Sequence, residues 1–492
     1  MHGAATCAPA SDGGGACGVS CASGYHVCAG DCLANSDVPS NSSDPCIISE
    51  AFGIFASPGG NDGNSGTMAS PVATVGHAMD LAKAAGKRVY ACGGTYASEN
   101  LVAGASRDGV NVYSGLDCSA IPWAYNAKRV ATLAPTATGY ALQLAGLSEG
   151  VTFEDFAFVA QPGSAAGASS IGVFVNNSRN ATLRRCLVQA GATGPGVDAM
   201  QLPQALAAPS GAPGNAPMRP PLRSGGTGGQ GATNPACPTS FGGNGGSASF
   251  AAGQSPEGMT GQPGGASNPN GGSSAGCGSM GTRGGSGANG GAGSDGAGSA
   301  VWALLSSSGW MPGGGEAGTK GTAGQGGGGG GSITGVTLGG GGGGGAGGCA
   351  GAGGAGGTGG GSSISVLVFQ SSVDLESCTM LSGNAGKGGN GAPGQKGQAG
   401  GGGGSGDTGA CDGGSGGNGG DGGAGGGGAG GLSVGVVWAG TSAMAPTING
   451  ISVPNAATLA GVTVGAAGAG GSNGSANGSG RPGVAVAVVQ FQ

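Results

Sequence analysis

The sequence predicts an all-β fold in which short strands stack round upon round, glycine-rich insertions pack beside them, and a small disulfide-rich module comes first. Pairs of short apolar strands recur in the same order along the chain. Three stretches, 342–360, 391–409 and 413–431, also place a glycine at every third position without a miss, seven glycines in each. An extended helix with three residues per turn then presents glycine along one edge, so that a neighbouring backbone can approach it closely.

The composition alone would suggest disorder. Of the 492 residues, 128 are Gly and 25 are Pro, and a share of these two residues above roughly 25–30% is typical of disordered chains. The unbroken period of three and the apolar runs favour order instead. The charge is slightly acidic, with 16 Lys and Arg against 22 Asp and Glu. We therefore expect no nucleic-acid partner and no attraction to an anionic membrane.

The 14 cysteines indicate disulfides in an oxidising compartment, because their number is even and six lie within residues 7–46. Zinc is the weaker alternative, since the two Cys-x3-Cys pairs in this module lack the long spacer of a zinc ribbon. We expect an exported protein, extracellular or on the cell surface, although the chain shows no signal peptide and no apolar run that could span a membrane. The candidate disulfide residues are Cys7, Cys17, Cys21, Cys28, Cys32, Cys46, Cys92, Cys118, Cys186, Cys237, Cys277, Cys349, Cys378 and Cys411.

Two regions precede the strand repeats. Residues 1–50 form the cysteine-rich module, which is too short to fold on apolar burial alone. Residues 51–118 predict a strand, a turn and then a helix that Ser70 caps, Pro71 begins and Gly86 ends. The apolar face of that helix comprises Val75, Ala78, Met79 and Ala82.

We expect residues 119–492 to form the part of the fold that repeats. A strand, a short turn and a second strand occur in the same order in three copies, which begin near residues 140, 171 and 364, and a fourth copy begins at 432. Cys186 and Cys378 take the same place in two of these copies. Such a pattern is typical of a solenoid, in which no repeat buries its apolar face without a neighbour.

The glycine-rich insertions, at about 191–361, 383–431 and 465–480, lie between the copies. They would leave successive rounds at one corner, stack as neighbours and pair their backbone N–H and C=O groups with one another. Flexible linkers are the alternative, which the entropy that glycine loses on ordering favours. A collagen triple helix does not fit, because Pro393 is the only proline in the three glycine runs.

Residues 52–118 resemble the opening and capping region of right-handed parallel β-helix proteins with the pectin-lyase-like fold. The matching features are an aromatic strand at Phe52, the turn Ser-Pro-Gly-Gly-Asn-Asp at 57–62, a proline-started helix and a strand that ends Gly-Thr-Tyr at 94–96. Residues 21–32 are similar to cysteine-rich preludes of exported myxobacterial proteins. The resemblance implies a right-handed parallel β-helix, whose insertions would form a polyglycine-II-like slab, but no particular activity.

The residues give no support for catalysis. Hydrolases of this fold use Gly-His-Gly with clustered aspartates, and lyases use calcium-binding acids with Arg and Lys. Neither motif occurs in the chain. Glu154 and Asp155 are adjacent in a predicted strand, so we expect their side chains on opposite faces, which does not suit paired acid catalysis on one sugar. The same holds for the adjacent pair Arg184 and Arg185. We predict no catalytic residue, no cofactor and no metal. The remaining residues considered are His2, His26, His77, Asp198 and the single calcium-repeat-like stretch 290–297.

The favoured function is that of an exported structural or adhesive protein of a cell surface or extracellular matrix. Broad flat faces or exposed solenoid ends would bind other copies of the chain or surface glycans. One alternative is an ice-binding protein that uses a flat face of small side chains. Another is a carbohydrate-active enzyme of the pectin-lyase-like fold, with Glu154, Asp155 and Asp198 as the residues to test.

Overall fold

The computed structural model describes residues 2–9, 15–40, 44–204, 206–219, 224–248, 256–262, 283–475 and 477–491. In these ranges strands far outnumber helices: the helices are α1 (Val75–Ala85) and two short 3₁₀ turns, Ala105–Arg107 and Ser442–Met444. None of the described helices is long and apolar enough to cross a membrane.

The strands are, in chain order, β1 (Gly3–Pro9), β2 (Gly15–Cys21), β3 (Tyr25–Cys28), β4 (Asp31–Ala34), β5 (Gly53–Ala56), β6 (Arg88–Cys92), β7 (Gly94–Tyr96), β8 (Leu101–Ala103), β9 (Val112–Asp117), β10 (Ala124–Tyr125), β11 (Ala131–Leu133), β12 (Leu142–Ala145), β13 (Val151–Glu154), β14 (Phe156–Val159), β15 (Ser170–Asn176), β16 (Ala181–Arg184), β17 (Leu187–Ala190), β18 (Ala303–Ser306), β19 (Gly309–Pro312), β20 (Ser363–Phe369), β21 (Val373–Glu376), β22 (Thr379–Ser382), β23 (Ser433–Ala439), β24 (Thr447–Ile448), β25 (Ile451–Ser452), β26 (Val462–Thr463) and β27 (Ala485–Gln490).

Three parallel sheets organise the chain from residue 53 onwards. The first contains β5, β6, β9, β13, β16, β21 and β24, the second β7, β11, β14, β17, β22 and β26, and the third β8, β12, β15, β20, β23 and β27. From β7 onwards the strands belong to the second, third and first sheets in turn. We call each passage through the three sheets a round, and successive rounds lie on one another. Phe153, Leu183 and Leu375 stand at the same place in three successive rounds and are buried. Stacked apolar side chains of this kind form the core.

The N-terminal module consists of two antiparallel pairs, β1 with β2 and β3 with β4. Disulfides join Cys21 to Cys32 and Cys28 to Cys46, as a segment with few large apolar residues requires. Arg88 of the first sheet donates to the carbonyl of Asp37 at 2.6 Å. The module is therefore fastened to the edge of the sheets by hydrogen bonds as well as by chain connection.

Helix α1 begins later than the sequence predicts. Thr74 is its N-cap, and its hydroxyl accepts a hydrogen bond from the third helical N–H, that of His77, at 3.2 Å. Ser70 and Pro71 lie in the preceding turn, so their predicted roles as cap and first helical residue are wrong. Gly86 ends the helix in the left-handed conformation, with φ of 65°, as predicted.

The glycine-rich insertions all leave after a strand of the second sheet and return at a strand of the third. They connect β17 to β20, β22 to β23, and β26 to β27, and the first also carries the hairpin of β18 and β19. Their first residues lie side by side: the N–H of Thr193 donates to the carbonyl of Asn384 at 2.9 Å, and that of Ala385 to Ala466 at 2.8 Å. The insertions therefore extend from one corner in stacked layers.

Candidate functional site

The glycine-rich layers are built around one largely buried segment, residues 339–361, which we name the central segment. Three consecutive glycines show how it is held. The N–H groups of Gly343, Gly344 and Gly345 donate to three different segments, 206–218, 241–248 and 411–431, at 2.8–2.9 Å. Their carbonyls accept from three others, 383–406, 224–233 and 313–332, at 2.7–2.9 Å. One turn of three residues thus bonds to six neighbours, which satisfies backbone groups that an isolated extended helix leaves free.

Glycine is required here by close approach. A Cβ atom added to Gly343, Gly344 or Gly345 would lie 2.0–2.1 Å from a carbonyl oxygen of an adjacent segment. Those oxygens belong to backbones that are themselves hydrogen-bonded on several sides, so they have no room to move. The period of three in the sequence follows from this packing, because each residue of a turn faces a different pair of neighbours.

A regular surface forms where two outer segments run side by side. Segments 283–299 and 411–431 run parallel. The N–H of Gly290 donates to the backbone carbonyl of Asn418, and the N–H of Gly293 donates to that of Asp421, both at 2.8 Å. In each segment one series of residues, three positions apart, is exposed except for the half-buried Ala424, at a spacing of about 9 Å. We name this surface the polar face; its outward residues are Ser286, Asn289, Ala292 and Asp295 in one row and Ser415, Asn418, Asp421 and Ala424 in the other.

Side chains of the polar face bond to N–H groups that have no further backbone neighbour. The N–H of Gly400 donates to Asn418 Oδ1 at 3.0 Å, and the N–H of Asn418 donates to Asn289 Oδ1 at 2.8 Å. Asp295 Oδ1 likewise accepts from Ala424 at 2.8 Å. The face is therefore held rigid by its own side chains. The sequence contains a signal for this face in the matched Ser-x-x-Asn series at 286–289 and 415–418. The glycine period of three is the stronger pattern in the same segments and does not by itself indicate the face.

Four charged residues singled out in the sequence, Glu154, Asp155, Arg184 and Arg185, form a partly buried cluster at the first sheet. Glu154, Arg184 and Glu376 stand at the same place in three successive rounds, so their charges alternate along the stack. Arg184 Nη1 lies 3.1 Å from Glu154 Oε2, and Ser40 of the N-terminal module donates to Glu154 Oε1 at 2.7 Å. Glu154 is 1% exposed. The cluster thus neutralises charges between rounds and lies under the module.

Asp155 and Arg185 correct an expectation. They do not lie on the opposite face from Glu154 and Arg184, because each strand ends one residue earlier and both residues have positive φ, 61° and 50°. Arg185 consequently contacts both Glu154 and Asp155. Asp155 Oδ1 accepts from Arg185 Nε at 2.9 Å, and Oδ2 accepts from Tyr125 at 3.1 Å. The hydrogen bonds to Asp155 raise the pKa of Arg185.

Both candidate acids in this cluster are hydrogen-bonded through both of their carboxylate oxygens. Both oxygens of Glu154 and both of Asp155 accept hydrogen bonds from Arg, Ser or Tyr side chains. The third candidate acid, Asp198, lies apart in the glycine-rich layers, where it accepts from the N–H of Asn390 at 2.7 Å. The structure therefore does not bring the three acids together.

The histidines have local contacts. His2 stacks on Tyr25 with ring centroids 4.1 Å apart. His26 bonds Asp44 at 3.2 Å, and His77 lies half-buried on α1. The described residues hold one group of three potential metal ligands, Cys28, Asp44 and Cys46, and its two sulfurs are already joined as a disulfide.

The candidate disulfide residues fall into three groups. Besides the two disulfides of the module, Cys92 pairs with Cys118 and Cys237 with Cys349, and Cys411 is also disulfide-bonded. Cys186 and Cys378 are free thiols, which corrects the expectation for these two. The side chains of the remaining three candidates, Cys7, Cys17 and Cys277, lie outside the described residues.

No protein-family model matches the sequence, and neither a curated protein nor a solved structure matches the chain.

Proposed function

We propose that the protein is an exported, non-enzymatic structural or adhesive protein, in which a right-handed parallel β-helix carries a polyglycine-II-like slab. The observation that carries the proposal is the six-neighbour bonding of Gly343, Gly344 and Gly345. We infer that a body bonded in this way is rigid and presents broad surfaces, without a core of large side chains. Rigid flat surfaces suit contact with an extended or repeating partner better than enclosure of a small substrate.

An extracellular or cell-surface location is supported by the disulfides, which persist in oxidising compartments. Cys237–Cys349 joins residues that are 112 positions apart within the first insertion. Crosslinks of this kind offset part of the entropy that a glycine-rich chain loses on ordering.

Surface glycans are the partner that the polar face fits best. Its two rows present hydroxyl, amide and carboxylate groups at regular intervals, and glycan hydroxyls both donate to and accept from such groups. Because the outward side chains are already held by neighbouring backbones, little further entropy is lost when a ligand binds.

Binding to a panel of insoluble polysaccharides, measured by co-sedimentation, tests this proposal. Ala292→Arg places a bulky side chain in the middle of the polar face, and Ala317→Arg makes the same change at an exposed position of another segment. We expect Ala292→Arg to weaken binding at least fivefold and Ala317→Arg to leave it unchanged, with wild-type melting temperatures for both. Equal binding by the two variants, or no binding by the wild type, contradicts glycan binding through this face.

Ice is a second candidate ligand, favoured by the same rows of small side chains at fixed spacing. Thermal hysteresis of the purified protein, lost in Ala292→Arg and kept in Ala317→Arg, would support ice over glycans as the ligand.

Glycan cleavage is the third candidate function. Reducing-sugar release that Glu154→Gln or Asp155→Asn abolishes in a folded protein would replace the structural proposal with an enzymatic one.

A further inference from the structure

Two free thiols lie together in the interior between the first and second sheets. Cys186 and Cys378 directly precede β17 and β22, which pair in register from Leu187 and Thr379 onwards. The N–H of Thr379 donates to the carbonyl of Cys186 at 2.8 Å. The two cysteines therefore occupy the same place in successive rounds. Among the cysteines whose side chains the structure describes, only these two are thiols.

The two side chains are neighbours, because the sulfur of Cys378 reaches the backbone of the round that carries Cys186. Around them lie backbone carbonyls: Cys186 Sγ is 3.3 Å from Arg184 O, and Cys378 Sγ is 3.1 Å from Leu183 O. Cys186 is 2% exposed, whereas Cys378 is partly exposed and gives access from outside. No third His, Cys, Asp or Glu side chain completes a group of three ligands here among the described residues.

The spacing of the strands decides which link between these sulfurs is favourable. Neighbouring strands lie about 4.8 Å apart, and side chains at the same place in both project in parallel. A disulfide needs Cβ atoms about 3.8 Å apart and sulfurs about 2.05 Å apart. Two metal–thiolate bonds of about 2.3 Å each span about 4.6 Å in a straight line, which is close to the strand spacing. A two-coordinate ion between the sulfurs thus matches the spacing of neighbouring strands better than a disulfide does.

We propose that Cys186 and Cys378 form a two-coordinate thiolate site for a soft cation such as Cu(I). Soft thiolates select such ions, whereas zinc sites require four ligands. Binding forms two sulfur–metal bonds and releases the two thiol protons to solvent. The bound ion would link two rounds at the start of the second-sheet strands, one strand away from the corner from which the insertions extend.

The test uses the full chain with its disulfides intact, Cu(I) kept reduced by ascorbate without oxygen, and native mass spectrometry. We expect the wild type to bind one more Cu(I) than Cys378→Ser and Cys186→Ser, and X-ray absorption to show copper with two sulfur ligands. Ser371→Ala, a change at another buried corner position, serves as the control and should bind as the wild type. The bound ion should also raise the melting temperature of the wild type and not that of Cys378→Ser.

Two results would overturn the site. One is equal Cu(I) stoichiometry in the wild type and in Cys378→Ser. The other is a thiol titration of the denatured wild type that finds no more thiols than in the double variant, because the pair is then an oxidised disulfide. If Cys186→Ser does not fold, Cys378→Ser at the partly exposed position still decides the question.

Discussion

The N–H of Gly345 donates to the carbonyl of Gly414 at 2.9 Å, and the same bond recurs from Gly348 to Gly417 and from Gly351 to Gly420. The period of glycine in the sequence is thus the period of hydrogen bonding between two distant segments. In a sheet every second residue faces a given side, whereas here every third residue does. A substitution at one position should therefore disturb one particular contact between segments.

Gly345→Ala should destabilise the protein strongly. The new Cβ would lie 2.0 Å from the carbonyl oxygen of Gly401, a backbone atom that cannot turn away. Overpacking of a closely packed interior costs about 1–3 kcal/mol or more, and we expect the upper end of this range. Chemical denaturation monitored by circular dichroism would measure the loss.

Gly402→Ala is the matched control for this prediction. Gly402 is exposed, and the nearest atom to its added Cβ is Ser210 Oγ at 3.5 Å, an ordinary contact. The same loss of backbone freedom in the unfolded chain applies to both variants. Similar stabilities of Gly345→Ala and Gly402→Ala would show that the segments are not packed as described.

Glu154→Gln should lower stability by about 2 kcal/mol. It removes the buried charge that two arginines share, and the loss of one partner of a buried ion pair costs about 3–5 kcal/mol. Arg184 and Arg185 keep about a third of their side-chain exposure, so water recovers part of that cost. The same change at the exposed Glu316 should alter the melting temperature by less than a degree or two. Equal effects of both changes would mean that the cluster contributes nothing to stability.

The sequence predicts most of what repeats in this molecule. Strand order and the stacking of Phe153, Leu183 and Leu375 follow from apolar alternation, and the layered insertions follow from the glycine register. The cluster at Asp155 could not be predicted, because nothing in the residue type shows that the strand ends at Glu154 and that Asp155 takes a positive φ. Asp is enriched at positive φ, but such a backbone conformation is uncommon for any residue other than glycine.

The helix start shows how two local signals compete. Ser70 followed by Pro71 is a good N-terminal pattern, but the carboxylate of Asp62 accepts hydrogen bonds from the N–H groups of Ala73 and Thr74, at 2.8 and 2.9 Å. These bonds hold the preceding segment out of the helix. A contact between residues eleven or twelve positions apart is invisible to a pattern read over one helical turn.

Removal of the Cys237–Cys349 disulfide by a Cys→Ser double substitution should lower the free energy of unfolding more than removal of the Cys21–Cys32 disulfide does. The two bonds close loops of 112 and 11 residues, and the loop-entropy relation gives about 4–5 and about 3 kcal/mol. Unfolding by denaturant would measure both costs. Amide exchange should also rise in the glycine-rich layers for the first variant only. A larger cost for the short loop would contradict the role of Cys237–Cys349 in ordering these layers.

The stability of the protein should fall in acid partly through Asp108. Burial raises the pKa of this carboxyl, but hydrogen bonds from the N–H groups of Glu149, Ser148 and Gly150 and from the Ser148 hydroxyl lower it more, to about 2. Because the pKa is lower in the folded than in the unfolded state, the stabilisation is complete above the ordinary value of 3.8 and is lost as the pH falls towards 2. A lowering of this size is worth about 2 kcal/mol.

Asp108→Asn should therefore be less stable than the wild type by about 2 kcal/mol at pH 7, and this difference should shrink steadily between about pH 5 and pH 2. Denaturation curves at a series of pH values would measure it. Asp31→Asn, at an exposed position of β4, provides the comparison, and its curve should run parallel to that of the wild type. A constant difference between Asp108→Asn and the wild type down to pH 2 would show that the loss arises from packing of the turn and not from the charge on Asp108.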